Sequence, residues 1–310
     1  MGYKLAGFDV LGGVEIDPEM MKLYRENIRP QPHLSFEMPI QDFKNVKDLP
    51  SELYNLDILD GSPPCSSFSM AGSREKDWGE NKKFREGQAT QVLDDLFFHF
   101  IDVALLLKPR VVVAENVKGL IMGNAKGYVK DIFAAFLKAG YRAQLFLLNS
   151  SRMGVPQTRE RTFFIATRTD LALPKIVFNF EEPIIGIATA LKDLPKDLTT
   201  QYSTAMMKRW MKAPRGGYSK TEGGNNFGFV YKLHPELPSA TVTPRRRIYH
   251  WDSCRRLNAQ EVIRAQSFPE DYNFLKPGND HANYVCGMSV PPLMMQRVAN
   301  QIYEQFFKVL

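Results

Sequence analysis

Short, predominantly apolar runs, each bounded by a polar turn and separated by helical stretches, most constrain what this chain can become. Residues 56–59 (LDIL) run into Gly61-Ser-Pro-Pro-Cys65, and 110–114 (RVVVA) run into Glu115-Asn-Val117. Residues 162–166 (TFFIA) follow Gln157-Thr-Arg159-Glu-Arg161. Runs that are apolar throughout, rather than alternating, are strands covered on both faces. Residues 8–16 and 141–148 read as further strands. Between them lie helical patterns. Pro18 opens one, with Met20, Met21, Tyr24 and Ile28 at helical spacing. Residues 91–107 carry Leu93, Leu96, Phe97, Phe100, Val103 and Leu107 on one broad face, and 128–139 form a third helix stopped by Gly140. This order predicts an α/β fold built on a parallel, doubly wound sheet.

The regular pattern ends near Thr167. Residues 170–239 are irregular and rich in Pro and Gly, and helices return near 258–266 and 293–307. The expected organisation is therefore a main domain over 1–169, a small domain over 170–240, and a return to the main domain over 241–310. A chain of 310 residues with 44% hydrophobic and 24% charged residues can bury a core without staples. Its apolar runs, such as 103–107, which is broken by Lys108 and Pro109, are too short to span a bilayer. The start MGYKLAGFDV lacks the features of a signal peptide. The three cysteines, Cys65, Cys254 and Cys286, fit neither a disulfide framework nor a metal-ligand spacing. A reduced, cytoplasmic, metal-free and monomeric protein is expected. The net charge of +6 is compatible with a nucleic-acid partner.

Open α/β sheets collect ligands at the carboxyl ends of their strands, where both GSPPC and AENV lie. The Pro-Pro pair fixes the backbone and presents Cys65 rigidly; a buried structural cysteine on a tight turn is the alternative. One helical crossover separates the two strands, so Cys65 and Glu115 can meet at one edge. Capping of the following helix is the alternative for Glu115. In an extended segment Gln157, Arg159 and Arg161 share a face suited to anions or base edges, or they decorate a solvated edge strand.

The ordered blocks GSPPCSSFS, AENV and QTRER resemble the catalytic motifs of DNA (cytosine-5) methyltransferases. The resemblance continues through Gly154-Val-Pro156, through Arg256-Leu257, Glu261, Arg264, Gln266, Phe268-Pro269 and Tyr272, and through Gly287-Met-Ser289-Val290-Pro-Pro292. It implies a Rossmann-like S-adenosylmethionine-dependent methyltransferase sheet with a second, smaller target-recognition domain over the irregular segment. It implies that Cys65 adds to C6 of a flipped cytosine, that Glu115 contacts N3 and the exocyclic amine, that Arg161 holds O2, and that Arg159 supports the loop or a phosphate. Glu15, Ile16, Ile40, Pro64, Leu96, Ser289 and Val290 are the implied S-adenosylmethionine contacts. The polar loop 73–88 is implied to close over DNA. Gln157, the arginine run Arg245, Arg246 and Arg247, and Lys208 and Arg209 of a basic-aromatic cluster are the expected DNA contacts. The implied partners are double-stranded DNA and a cognate restriction endonuclease, in a bacterial or phage modification system.

The sequence departs from the family in three places. The strand and F-x-G-x-G-G turn that open the family's pattern have no match, and residues 1–6 read as the end of the helix that follows that turn. An internal start, or a truncation with impaired cofactor binding, is expected on that ground. Met288 replaces an Asn, and Pro39 replaces an Asp, with Asp42 nearby but offset. The alternatives are a DNA-binding remnant that cannot hold the cofactor, an RNA methyltransferase with related blocks, against which the segment 170–239 speaks, and an unrelated thiol hydrolase, against which the lack of a recognisable His partner motif speaks.

Overall fold

The computed structural model describes residues 1–64, 81–82, 91–92, 95–122, 126–195, 202–219, 230–244 and 248–308. Cys65, Arg245, Arg246, Arg247 and all of loop 73–88 except 81–82 lie outside them.

In chain order the elements are α1 (Gly2–Leu5), β1 (Gly13–Glu15), α2 (Pro18–Ile28), β2 (Ser35–Glu37), α3 (Ile40–Phe43), β3 (Ile58–Gly61), β4 (Asn81–Lys82), β5 (Gln91–Val92), α4 (Leu96–Leu107), β6 (Val111–Val117), α5 (Lys126–Lys138) and β7 (Tyr141–Asn149). There follow β8 (Glu160–Arg168), α6 (Ile187–Ala190), α7 (Thr204–Lys212), β9 (Gly217–Tyr218), β10 (Tyr231–Lys232), β11 (Ile248–Tyr249), α8 (Ala259–Ala265), α9 (Asn279–Met288) and α10 (Pro292–Ile302). They group into two compact units. One contains 10–148, 160–177 and 302–310; the other contains 1–9, 149–159 and 178–301.

The first unit is the sheet unit. Its main sheet has the order β3-β6-β8-β7. β3 and β6 are parallel, with the crossover helix α4 between them in sequence. The expectation of an all-parallel sheet is corrected here, because β6 and β8 run antiparallel. A parallel neighbour needs a crossover of a dozen or more residues, usually helical. The link from β7 to β8 holds only a single 3-10 turn, Ser150–Arg152, so the sheet is mixed.

α4 is apolar on nearly every side, and seven of its twelve residues are buried. It ends at Lys108 in the left-handed conformation, and Pro109 prevents its continuation. The helix is shorter than the sequence pattern suggested. Residues 91–92 instead pair antiparallel with 81–82. Phe97, Phe100 and Ala104 of α4 pack with Ile132 and Phe136 of α5 over Val112, Ala114, Phe164 and Ala166. Gly61 at the end of β3 has a packing reason: a Cβ there would lie 2.4 Å from Cε2 of Phe100.

β1 and β2 pair parallel but form a separate sheet. The two sheets share one apolar cluster, in which Val14, Phe36 and Leu59 pack with Leu34, Phe43, Val103 and Leu107. The strand expected over 8–16 contracts to Gly13–Glu15. At Gly12 the backbone approaches Leu34 so closely that a Cβ would lie 2.1 Å from its carbonyl oxygen.

In the second unit α1 lies against α10: a Cβ on Gly2 would lie 2.4 Å from the Cβ of Met295, and Gln296 Nε2 donates to the Leu5 carbonyl at 2.7 Å. The small sheet β11-β10-β9 is covered by α7, whose Met206 and Trp210 pack on Ala213, Val230 and Tyr249. α8 opens with a reciprocal cap between Asn258 and Glu261. Glu261 also holds Arg255 in a buried bidentate pair, at 2.6 and 2.7 Å. α9 had no expectation in the sequence reading.

Candidate active site

Both β3 and β6 end at one edge of the sheet, as the spacing of their motifs requires. The register sets Gly61 against Ala114, so the turn after β3 and residues 115–117 emerge side by side. Asn116 locks this arrangement: its Nδ2 donates to the Pro63 carbonyl at 3.0 Å. Pro63 is buried, and Cys65 lies two residues further on, outside the described residues.

β8 brings the cation. Antiparallel pairing sets Val117 opposite Arg161 and Glu115 opposite Phe163. Glu115 and Val117 are two residues apart and share a face, which is also the face of Arg161. The Glu115 Oε1 to Arg161 Nε distance is 2.9 Å, and these side chains are only 10% and 13% exposed. Burial lowers the Arg161 guanidinium from its ordinary value, and the adjoining Glu115 carboxylate opposes that shift. Thr162 Oγ1 donates to the Asn116 carbonyl at 3.1 Å, and Lys118 pairs with Glu160 at 2.9 Å on the same edge. Asn116, Lys118 and Glu160 were not among the sequence candidates, although Asn116 stands inside AENV.

Gln157 and Arg159 do not share the environment of Arg161. Gln157 is wholly buried, and its amide bonds to Gln266 Oε1 at 2.6 Å and to the Val242 N–H at 3.0 Å. That placement differs from the expected DNA contact, because the amide faces protein on both sides. The Arg159 guanidinium is buried and donates to the carbonyls of Val242 at 2.8 Å and Gly287 at 2.9 Å. β8 lies between β6 and β7, which removes the solvated edge strand from consideration.

Of the expected cofactor residues, five belong to the sheet unit. Glu15 ends β1, and its Oε1 accepts the Asp17 N–H at 2.8 Å. Burial pushes the Glu15 carboxyl above its usual range, against the opposing effect of that hydrogen bond. Asp17 caps α2 by accepting from the Glu19 N–H at 2.9 Å. Ile16 and Pro64 are half-buried, Ile40 starts α3, and Leu96 is buried at the start of α4. A carboxylate that accepts from hydroxyls, beside aliphatic side chains, suits a nucleoside. Ser289 and Val290 belong to the other unit, where Ser289 follows α9 and its Oγ donates to the Val285 carbonyl at 2.6 Å. Lys208 and Arg209 are exposed on α7. Among the described residues no His/Cys/Asp/Glu cluster suits a metal, and no helix is long and apolar enough to cross a membrane.

The family model of C-5 cytosine-specific DNA methylases matches residues 1–304. The chain belongs to that family. As a DNA cytosine-5 methyltransferase it has relatives in restriction-modification systems. It is 30% identical over 311 residues to the Type II methyltransferase M.BspRI of Lysinibacillus sphaericus, covering 93% of this chain and 68% of that one. It is 27% identical over 320 residues to M1.HphI of Haemophilus parahaemolyticus, covering 97% and 82%. Among solved structures it is similar to a DNA modification methyltransferase encoded within an E. coli prophage, with a TM-score of 0.75, 19% identity and coverage of 99% and 95%. It is also similar to S. pombe Dnmt2, with a TM-score of 0.63, 16% identity and coverage of 99% and 94%. The methyltransferase thus has the mixed α/β, Rossmann-like fold of these neighbours.

Proposed function

We propose that this DNA cytosine-5 methyltransferase acts through a covalent adduct between Cys65 and C6 of a cytosine flipped out of duplex DNA. The observation that supports this reading is the Glu115–Arg161 pair, 2.9 Å apart, on the sheet edge to which Asn116 ties the turn leading to Cys65. Cytosine is a weak carbon nucleophile at C5. The Cys65 thiolate forms an S–C6 bond, and the displaced π electrons make C5 nucleophilic while N3 takes a proton from Glu115. Arg161 donates to O2 of the same base and keeps Glu115 oriented. Glu115 also accepts from the exocyclic amine, which thymine lacks. S-adenosylmethionine, when bound, supplies the electrophilic methyl group. Loss of the C5 proton to water then restores the double bond and breaks the S–C6 bond, releasing Cys65 as a thiolate while the N3 proton returns to Glu115. A stacked base cannot be reached from both faces, so extrusion is required.

Glu15 would accept from the ribose hydroxyls, Ile16 and Ile40 would flank the adenine, and Pro64 and Leu96 would line the same side; Ser289 and Val290 are further candidate cofactor contacts. Arg245, Arg246, Arg247, Lys208 and Arg209 would neutralise phosphates. Arg159 and Gln157 act behind this surface as positioning residues. The protein works as a cytoplasmic monomer on double-stranded DNA, alongside a restriction endonuclease of the same specificity.

The test is transfer of tritiated methyl groups to unmethylated duplex DNA, with tRNA as the alternative acceptor and Cys65→Ser as the control. Sequencing that distinguishes methylated cytosine then reads the target site. Transfer to DNA that is lost in Cys65→Ser is expected; transfer to tRNA alone, or transfer that survives the substitution, refutes the reading.

A second reading rests on the split sheet. β1 and β3 belong to different sheets, and Glu15 stands at the end of the separate pair. A cofactor edge divided in this way holds S-adenosylmethionine weakly, and the chain is then a DNA-binding remnant. Tight binding in calorimetry would exclude it.

A further inference from the structure

We infer that Gln157 and Gln266 are positioning residues whose paired amides couple the DNA-side segment 241–244 to the cofactor-side residue Ser289. The inference rests on the reading above, in which the arginine run after Pro244 meets DNA and Ser289 meets the cofactor.

Four groups form one directed chain. The Val242 N–H donates to Gln157 Oε1 at 3.0 Å, and Gln157 Nε2 donates to Gln266 Oε1 at 2.6 Å. Gln266 Nε2 then donates to the Ser289 carbonyl at 2.8 Å. The ends of the chain fix its direction. A backbone N–H only donates and a backbone carbonyl only accepts, so both amide orientations are determined without choice. Both glutamines are wholly buried, where an unpaired amide is costly. Reversing either one would set oxygen against oxygen or N–H against N–H. In a water-poor interior such linked hydrogen bonds polarise one another and behave as a unit.

A second tie joins the same segments. Arg159 bridges the carbonyls of Val242 and Gly287, two residues before Ser289. The segments also touch directly, since a Cβ on Gly287 would lie 2.3 Å from the Pro244 nitrogen. A segment ordered by DNA is therefore held against the segment that carries Ser289, and either ligand, by fixing its own side, lowers the ordering cost of the other. Coupling of this kind is reciprocal and is typically about fivefold or more in affinity.

The experiment is calorimetric titration of the intact protein with S-adenosylhomocysteine, with and without sheared unmethylated genomic DNA. It is repeated on Gln266→Met and on Gln266→Glu. The Met variant keeps the volume and loses both links. The Glu variant keeps the link to Gln157 and loses donation to Ser289. In the parent, DNA tightens cofactor-site binding about fivefold or more. In both variants that enhancement falls toward unity while each ligand alone binds nearly as before. Hydrogen exchange at the Val242 amide, read without ligands, is faster in Gln266→Met although Val242 does not bond to Gln266. Enhancement preserved in both variants overturns the inference, as does unchanged exchange at Val242 or a parent that binds both ligands without coupling. A parent that binds neither ligand refutes the functional reading itself.

Discussion

Replacing Glu115 with Leu separates the stability of the site from its chemistry. The carboxylate and the Arg161 guanidinium are 2.9 Å apart and almost fully shielded from water. With charge centres about 4 Å apart and an effective dielectric near 20, their attraction is about 4 kcal/mol. Desolvation offsets much of that, so the intact pair adds little net stability. Removing one partner is different, because it leaves an uncompensated buried charge and costs about 3–5 kcal/mol. Glu115→Leu is therefore expected to lower the unfolding free energy by about that amount. Among the described residues Arg161 has no second ion pair: it otherwise donates to the backbone carbonyl of its neighbour Glu160. The double variant Glu115→Leu/Arg161→Met replaces both charges with apolar groups and is expected to recover to within about 1–2 kcal/mol of the parent. Urea unfolding followed by far-ultraviolet circular dichroism measures each value at constant m. Methyl transfer is expected to vanish in all of these variants, including the stable double one. If the single variant loses less than about 1 kcal/mol, or the double variant is no more stable than the single, the pair is not the coupled buried unit described.

Gly61→Ala should cost about 1–3 kcal/mol by overpacking, because its Cβ would meet the Phe100 ring at 2.4 and 2.8 Å. Adding Phe100→Leu should return part of the loss, and an unchanged urea midpoint in Gly61→Ala would contradict the close approach of β3 and α4. Cys286 should resist iodoacetamide in the native protein at pH 8, since burial pushes its thiol up to about 12; mass spectrometry that found it labelled before unfolding would refute this. Burial, helped by the nearby Arg255, pushes the His250 imidazole down from 6.5 to about 4, against the opposing pull of Glu261 and Asp252. Between those values the unfolded chain binds the extra proton, so the His250 contribution is complete above pH 6.5 and declines as the pH falls toward 4. His250→Gln should flatten this part of the stability profile, and an identical slope in both proteins would exclude His250 as its source.

Much of the site could be read from local text. LDIL, RVVVA and TFFIA announced β3, β6 and β8, and the single crossover between the first two brought GSPPC and AENV to one edge. Asp17 and Pro18 marked the start of α2, and Asn258 with Glu261 marked α8, because caps are written in a few consecutive residues. Other features were hidden. The direction of β8 depends on how the chain returns after β7, and the clue was only the missing helix between 148 and 162. The alternation of Gln157, Arg159 and Arg161 suggested one exposed face. What Gln157 and Arg159 meet depends on segments more than eighty residues away, Val242, Gln266 and Gly287 among them.

By itself the sequence determined the kind of strands and helices, their order, and the residue types placed at the ends of β3 and β6, because periodicity, turn chemistry and caps act over a few residues. Only the tertiary structure decided that the sheet is mixed, that β1 and β2 stand apart from it, and that Glu115 closes on Arg161. It also decided that Gln157 and Arg159 face inward. These outcomes depend on which distant backbone groups and charges must find partners once water is excluded, and no short stretch of sequence carries that information.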